Sequence, residues 1–180
     1  MKKRRIICVA VILVVLFALT QFAKAQEKST EERTGSFVFG VGLGLHADTP
    51  DDTAFALGIT GDYYLTPEFS IGPLLQMGFT EDLFQIGLTA QAKYTFDLRE
   101  IPKLKPHVQA GLGIIYADLD RKGREDEDDF SFLIPLGIGA EYQLTKSIWL
   151  DTTVLFNITN LDVRDENFFF TWLIGLKFPF

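Results

Sequence analysis

Few side chains in this sequence could do chemistry. The chain has two histidines and one cysteine among 180 residues. Cys8 is that cysteine, so the chain downstream of it can form no disulfide, thiolate metal site or cysteine nucleophile. Six titratable residues stand in otherwise apolar or small-residue stretches: Asp62, Lys93, His107, Glu141, Asp151 and Lys177. Three acids, two lysines and a histidine brought together away from water would need one another as partners. A structural salt-bridge cluster is the simplest outcome, and a proton or small-ion path is the alternative. A second set, His46, Asp48 and Ser131, holds the residue types of a base, a carboxylate and a hydroxyl nucleophile. No motif surrounds them, and His46 is expected at a rim, hydrogen-bonded to water. The run Asp118 to Asp129, DLDRKGREDEDD, carries seven acids and three bases. It could attract divalent cations, but it lacks EF-hand ligand spacing and reads as a solvated, mobile loop. No catalytic residue, metal site or cofactor is expected.

The elements that would position these groups are strands. Phe168 to Phe180 reads FFFTWLIGLKFPF, with Phe168, Phe170, Trp172, Ile174, Leu176, Phe178 and Phe180 at every second place. Period-two alternation sends successive side chains to opposite faces of a strand. Seven more stretches alternate in the same way: about 36–46, 54–64, 69–79, 83–96, 107–117, 130–144 and 148–158. Each has one uniformly apolar face. The six titratable residues fall on the opposite faces, all at the same end of their strands. Leu74, Ile115, Leu133, Leu155 and Leu173 share those inner faces and would favour an apolar pocket in the other half. Pro73, which lacks an N–H, predicts a bulge. Thr66-Pro67, Thr80-Glu81-Asp82 and Thr145-Lys146-Ser147 mark tight turns. Residues 97–106 form a longer turn, and residues 47–53 and 159–167 are further loops. The sequon Asn157-Ile158-Thr159 lies in a strand and carries no functional weight.

Eight strands, even in number and each long enough to cross a bilayer when tilted, suit a transmembrane barrel. Closure alone satisfies the backbone at both sheet edges in lipid. The predicted fold is therefore all-β, an eight-stranded antiparallel up-and-down transmembrane β-barrel over residues 35–180. A basic stretch (Lys2 to Arg5), an apolar run of fourteen residues (Ile6 to Leu19) and Ala23-Lys24-Ala25 read as a signal peptide over residues 1–25. Residues 26–34 read as a short mobile periplasmic arm. The chain has 17 basic and 24 acidic residues. The leader holds five of the basic residues and no acid, which leaves 12 against 24. Nucleic acid is excluded as a partner because no basic stripe remains to neutralise phosphates.

The terminal strand resembles the C-terminal assembly signal of bacterial outer-membrane barrels, carried by Trp172, Ile174, Leu176, Phe178 and Phe180. The whole arrangement resembles the small OmpA-type and OmpX-type barrels. The resemblance rests on strand count, alternation and terminus. It implies residence in a bacterial outer membrane, contact with lipid and lipopolysaccharide, handling by the barrel-assembly machinery, and a monomer. If both termini are periplasmic, loops 47–53, 80–82, 118–129 and 159–167 lie outside, and with no periplasmic peptidoglycan-binding domain expected after the barrel, the chain matches at most the barrel half of an OmpA-like protein. An eight-stranded barrel is narrow and normally filled by side chains. The expected role is structural or surface-interacting, with a plugged interior rather than a general pore. The alternatives are a lipid A-modifying enzyme and an OmpW-like carrier of small hydrophobic molecules.

Overall fold

A computed structural model describes residues 33–49, 52–119, 127–161 and 166–180. The expected signal peptide, residues 26–32 of the arm and residues 120–126 of the acidic run lie outside the described residues. Eight strands follow in order: β1 (Phe37–Thr49), β2 (Asp52–Tyr64), β3 (Phe69–Phe79), β4 (Leu83–Thr95), β5 (Leu104–Leu119), β6 (Glu127–Gln143), β7 (Trp149–Leu161) and β8 (Glu166–Pro179). Every strand pairs antiparallel with its neighbours in sequence, and β1 pairs with β8 from Val38↔Pro179 to Ala47↔Phe170. The sheet closes on itself as an eight-stranded up-and-down barrel, as the alternation predicts.

Alternation decides which way each residue faces. Along β7, Asp151, Thr153, Leu155 and Asn157 are buried, while Leu150, Thr152, Val154 and Phe156 are exposed. Leu112, Phe132, Ile138 and Trp172 are likewise exposed on the outside of the wall. In water such a shell would be an aggregation surface; in hydrocarbon it is the compatible one. Trp172 carries the one polar atom of its row, and its indole N–H donates to Thr152 Oγ1 at 3.1 Å. A polar pair on the outer wall thereby satisfies itself without water.

The register differs from expectation at three places. Pro73 makes no bulge. It pairs with Ala90 in an unbroken β3–β4 ladder, and on the other side the β2–β3 pairing lapses opposite Gly61 and Asp62, then resumes in the same register. Gly72 lets the strands close there, because a Cβ on it would collide with the carbonyl oxygen of Gly61. The shifts occur instead between His46 and Thr49, where Asp48 has a φ of 58°, and between Ile158 and Leu161. Both are at the end away from the termini, and rims are common places for such bulges.

Several strands also outrun their apolar stretches. β5 and β6 continue through Ala117↔Asp129, Asp118↔Asp128 and Leu119↔Glu127. Part of the expected acidic loop is therefore ladder. Leu119 stays on the inner face and packs with Leu83, so the inward row outlasts the lipid-compatible outer one. β5 also starts earlier, at Leu104, inside the expected turn.

The interior is layered. Nearest the termini, Val38, Tyr64 and Trp149 form an apolar floor. Above it lie the charged residues. Next come Ala56, Leu74, Leu155 and Leu173, and Ile115, Ala117, Leu133, Leu161 and Phe169 form a further apolar group. Leu74, Leu155 and Leu173 thus pack on one another and line only a small cavity. Between them and the charged layer is a cavity of about 20 Å³, bordered by Thr60, Gln109, Asp151, Thr153 and Lys177. That is the scale of one water molecule, not of a ligand.

Candidate functional site

The charged layer spans the bore. Asp62 projects from β2, Lys93 from β4, His107 from β5, Glu141 from β6, Asp151 from β7 and Lys177 from β8, and all six are buried. The expected residues therefore meet. Glu141 and Asp151 pair directly across β6 and β7, which sets two carboxylates side by side. Lys177 separates them, with its Nζ 3.0 Å from Glu141 Oε1 and 3.0 Å from Asp151 Oδ1. Lys93 reaches across to Asp62 and, at 3.1 Å, to the same Glu141 oxygen. Lys177 also lies 3.7 Å from Asp62 Oδ2.

The third cation is not the expected histidine. Arg33, which the sequence places in the mobile arm, packs its side chain against Tyr64 and Trp149 of the floor and is 5% exposed. Its Nη2 lies 3.4 Å from Glu141 Oε2, and its Nη1 donates to the Tyr64 hydroxyl at 3.2 Å. The layer thus balances three carboxylates with Arg33, Lys93 and Lys177, and Glu141 touches all three cations. His107 sits to one side. Thr153 donates its hydroxyl proton to Asp151 Oδ2 at 2.9 Å, so His107 Nε2, 3.2 Å away, donates to Thr153 Oγ1. His107 Nδ1 has no hydrogen-bond partner among the described residues.

Ligand atoms of His107, Glu141 and Asp151 lie within 4.8 Å of one another, a spacing that suits a metal ion. The ammonium of Lys177 already occupies the space between the two carboxylates. Buried carboxylates bonded to lysine are poor candidates for a cation that would have to displace it.

Nothing in the alternation pattern could have found Arg33, because it precedes β1 and stands in a polar segment. A short turn delivers it. Ser36 N–H and Ser36 Oγ both bond the Arg33 carbonyl, at 2.9 and 2.5 Å, and Gly35 N–H bonds Tyr64 O at 2.8 Å. Gly35 makes this turn with a φ of 75°, which favours glycine.

The second candidate set does not assemble. His46 is not a wetted rim residue: it is 1% exposed. Its Nε2 donates to Met77 O at 3.2 Å, its Nδ1 lies 2.7 Å from Thr171 Oγ1, and its ring meets Phe169 edge-on. Thr171 in turn accepts from Asn157 Nδ2 at 2.7 Å, and Gln76 donates to Asn157 Oδ1 at 3.1 Å. Ser131 belongs elsewhere. Its hydroxyl donates to Asn160 O at 3.0 Å and accepts from Asn160 N–H at 3.2 Å. With Thr159 Oγ1 bonding Phe132 O at 2.8 Å, it holds β6 to β7 where their backbone pairing stops. Base and hydroxyl thus serve two separate structural networks.

On β8, Trp172, Ile174 and Leu176 face outward as expected. Phe178 pairs with Phe39, and the Phe180 N–H bonds Phe37 O at 2.8 Å, so the strand stays paired to its end.

Known proteins share this architecture. The structure is similar to Neisserial surface protein A, at 20% identity and a TM-score of 0.67, over 82% of this chain and 98% of that one. It is similar to the N-terminal barrel domain of Pseudomonas aeruginosa OprF, at 15% identity and a TM-score of 0.61, over 82% and 98%. It is also similar to Ail, the attachment invasion locus protein of Yersinia pestis, at 16% identity and a TM-score of 0.59, over 82% and 99%. At these identities the likeness concerns the fold. No curated protein matches the sequence. The family model for the outer membrane protein beta-barrel domain matches residues 9–178. The closed barrel, its apolar outer wall and this match agree, and the chain belongs to the outer membrane protein beta-barrel domain family of bacterial outer-membrane proteins.

Proposed function

We propose that the protein is a closed, non-enzymatic outer-membrane barrel with a structural or surface-interaction role. The observation that carries this reading is the charge-balanced layer of Arg33, Lys93, Lys177, Asp62, Glu141 and Asp151 across the bore. Ions paired this closely hold one another in place and leave the solid apolar layer above them undisturbed. Separation of His46 from Ser131 speaks against acyl-transfer chemistry, and the water-sized cavity speaks against a carrier of hydrophobic molecules.

We further infer export, assembly and orientation from the sequence pattern. A signal peptide over residues 1–25 exports the chain, and the barrel-assembly machinery inserts it through β8. It then stands as a monomer among lipid and lipopolysaccharide, with its termini in the periplasm. That orientation puts Asp48, Glu81, Asp82, Asp118, Asp128 and Asp129 at the cell surface. Such a rim suits cationic partners or divalent cations shared with lipopolysaccharide phosphates rather than polyanions.

Single-channel conductance of the refolded protein in planar bilayers tests the plug. The expected result is no steady conductance for the wild type and leak or instability for Glu141→Ala. Steady ion-selective current through the wild type would overturn the reading and make the layer a selectivity filter.

A further inference from the structure

We propose that the mouth beside the termini is a guanidinium-binding cage, occupied in cis by Arg33. The walls belong to the barrel. Trp149 begins β7 and Tyr64 ends β2, and the two are 2% and 0% exposed. The Arg33 Cζ lies 4.0 Å from the Trp149 ring centroid and 5.1 Å from that of Tyr64. A phenol oxygen and a carboxylate complete the cage at the guanidinium edge, at 3.2 Å for Tyr64 and 3.4 Å for Glu141. An aromatic face for a flat cation, with acceptors at its edge, favours a guanidinium over a compact, strongly hydrated ammonium.

The occupant is separable from the walls. Arg33 lies outside every strand and arrives on the Arg33–Ser36 turn, whereas Trp149, Tyr64 and Glu141 are held by paired strands. Its fit is also incomplete, since Arg33 Nε and Trp149 Nε1 are buried without hydrogen-bond partners among the described residues. Without Arg33, three carboxylates face two lysines and the cage is left with an uncompensated negative charge. A small guanidinium cation would restore both the stacking and the charge balance. The inference rests on the closed-barrel reading for its conductance readout alone.

The test uses the refolded full barrel with Arg33→Ala in a Trp172→Phe background, so that Trp149 is the only tryptophan. Methylguanidinium is titrated against Trp149 emission, with ethylammonium at equal ionic strength as the control. The expected result is a saturable response to methylguanidinium at a midpoint at least tenfold below that for ethylammonium, and no response when Arg33 is present. In planar bilayers the same variant should leak, and methylguanidinium added on the terminal side should suppress the leak. Should Arg33→Ala fail to refold, Arg33→Gln, which removes the guanidinium and its charge but keeps part of the stem, takes the same titration. A flat titration, or equal response to both cations, overturns the cage. Conduction by the wild type overturns the closed-barrel reading instead and leaves the fluorescence titration to decide the cage.

Discussion

Glu141 is the residue on which the charged layer turns, and a double-mutant cycle with Arg33 measures that. Its carboxylate meets Lys93 at 3.1 Å, Lys177 at 3.0 Å and Arg33 at 3.4 Å, all out of contact with solvent. Glu141→Gln keeps the shape of the side chain and leaves three cations against Asp62 and Asp151. Breaking a buried ion pair by removing one partner costs about 3–5 kcal/mol, because the survivor stays buried and uncompensated. Arg33→Gln alone leaves the opposite excess charge and also loses the contacts with Trp149 and Tyr64. The double variant is neutral again, with two carboxylates and two lysines. It is therefore expected to be less destabilised than the sum of the single variants by about 0.5–3 kcal/mol, the range for residues in direct contact within one network. Reversible urea unfolding of the barrel in phospholipid vesicles, followed by tryptophan emission, gives all three free energies. Additivity within about 0.5 kcal/mol would refute the reasoning, since it would mean that Arg33 and Glu141 do not sense each other.

Three further outcomes follow from particular contacts. Gly72→Ala forces a methyl into the carbonyl of Gly61 across the β2–β3 seam, and overpacking of this kind costs about 1–3 kcal/mol; an unchanged urea midpoint would show that the seam has slack. His46→Ala removes the ring that joins Thr171 to the Met77 carbonyl and should lower stability by about 1–3 kcal/mol. The mass of lipid A in cells expressing it should match that from wild-type cells, and a mass change dependent on His46 would revive the enzymatic alternative. Trp172→Phe loses the bond to Thr152 and leaves a hydroxyl facing hydrocarbon, for a loss of about 1 kcal/mol in the same unfolding assay.

The sequence by itself determined the barrel. Alternation is a local property of each strand, and it was enough to count eight strands, to orient their faces and to place Asp62, Lys93, His107, Glu141, Asp151 and Lys177 on the inside. Length and apolarity then required a bilayer, and a bilayer required closure. Tertiary structure decided which inward residues touch, because contact across the bore depends on the stagger of strands far apart in the chain. It put Arg33 in the layer as the third cation, since a residue outside the strands has no alternation to reveal where it goes. It buried His46, because Thr171 and the Met77 carbonyl offer it partners that lie 125 and 31 residues away. It made Ser131 a bracket on Asn160 and kept Pro73 in register, both through the neighbouring strand rather than their own. Charge marks contact with water, so the acidic residues at the ends of β5 and β6 read as loop in the sequence. A backbone ladder, once its register is set in the membrane, continues into water for as long as inward residues such as Leu119 find partners.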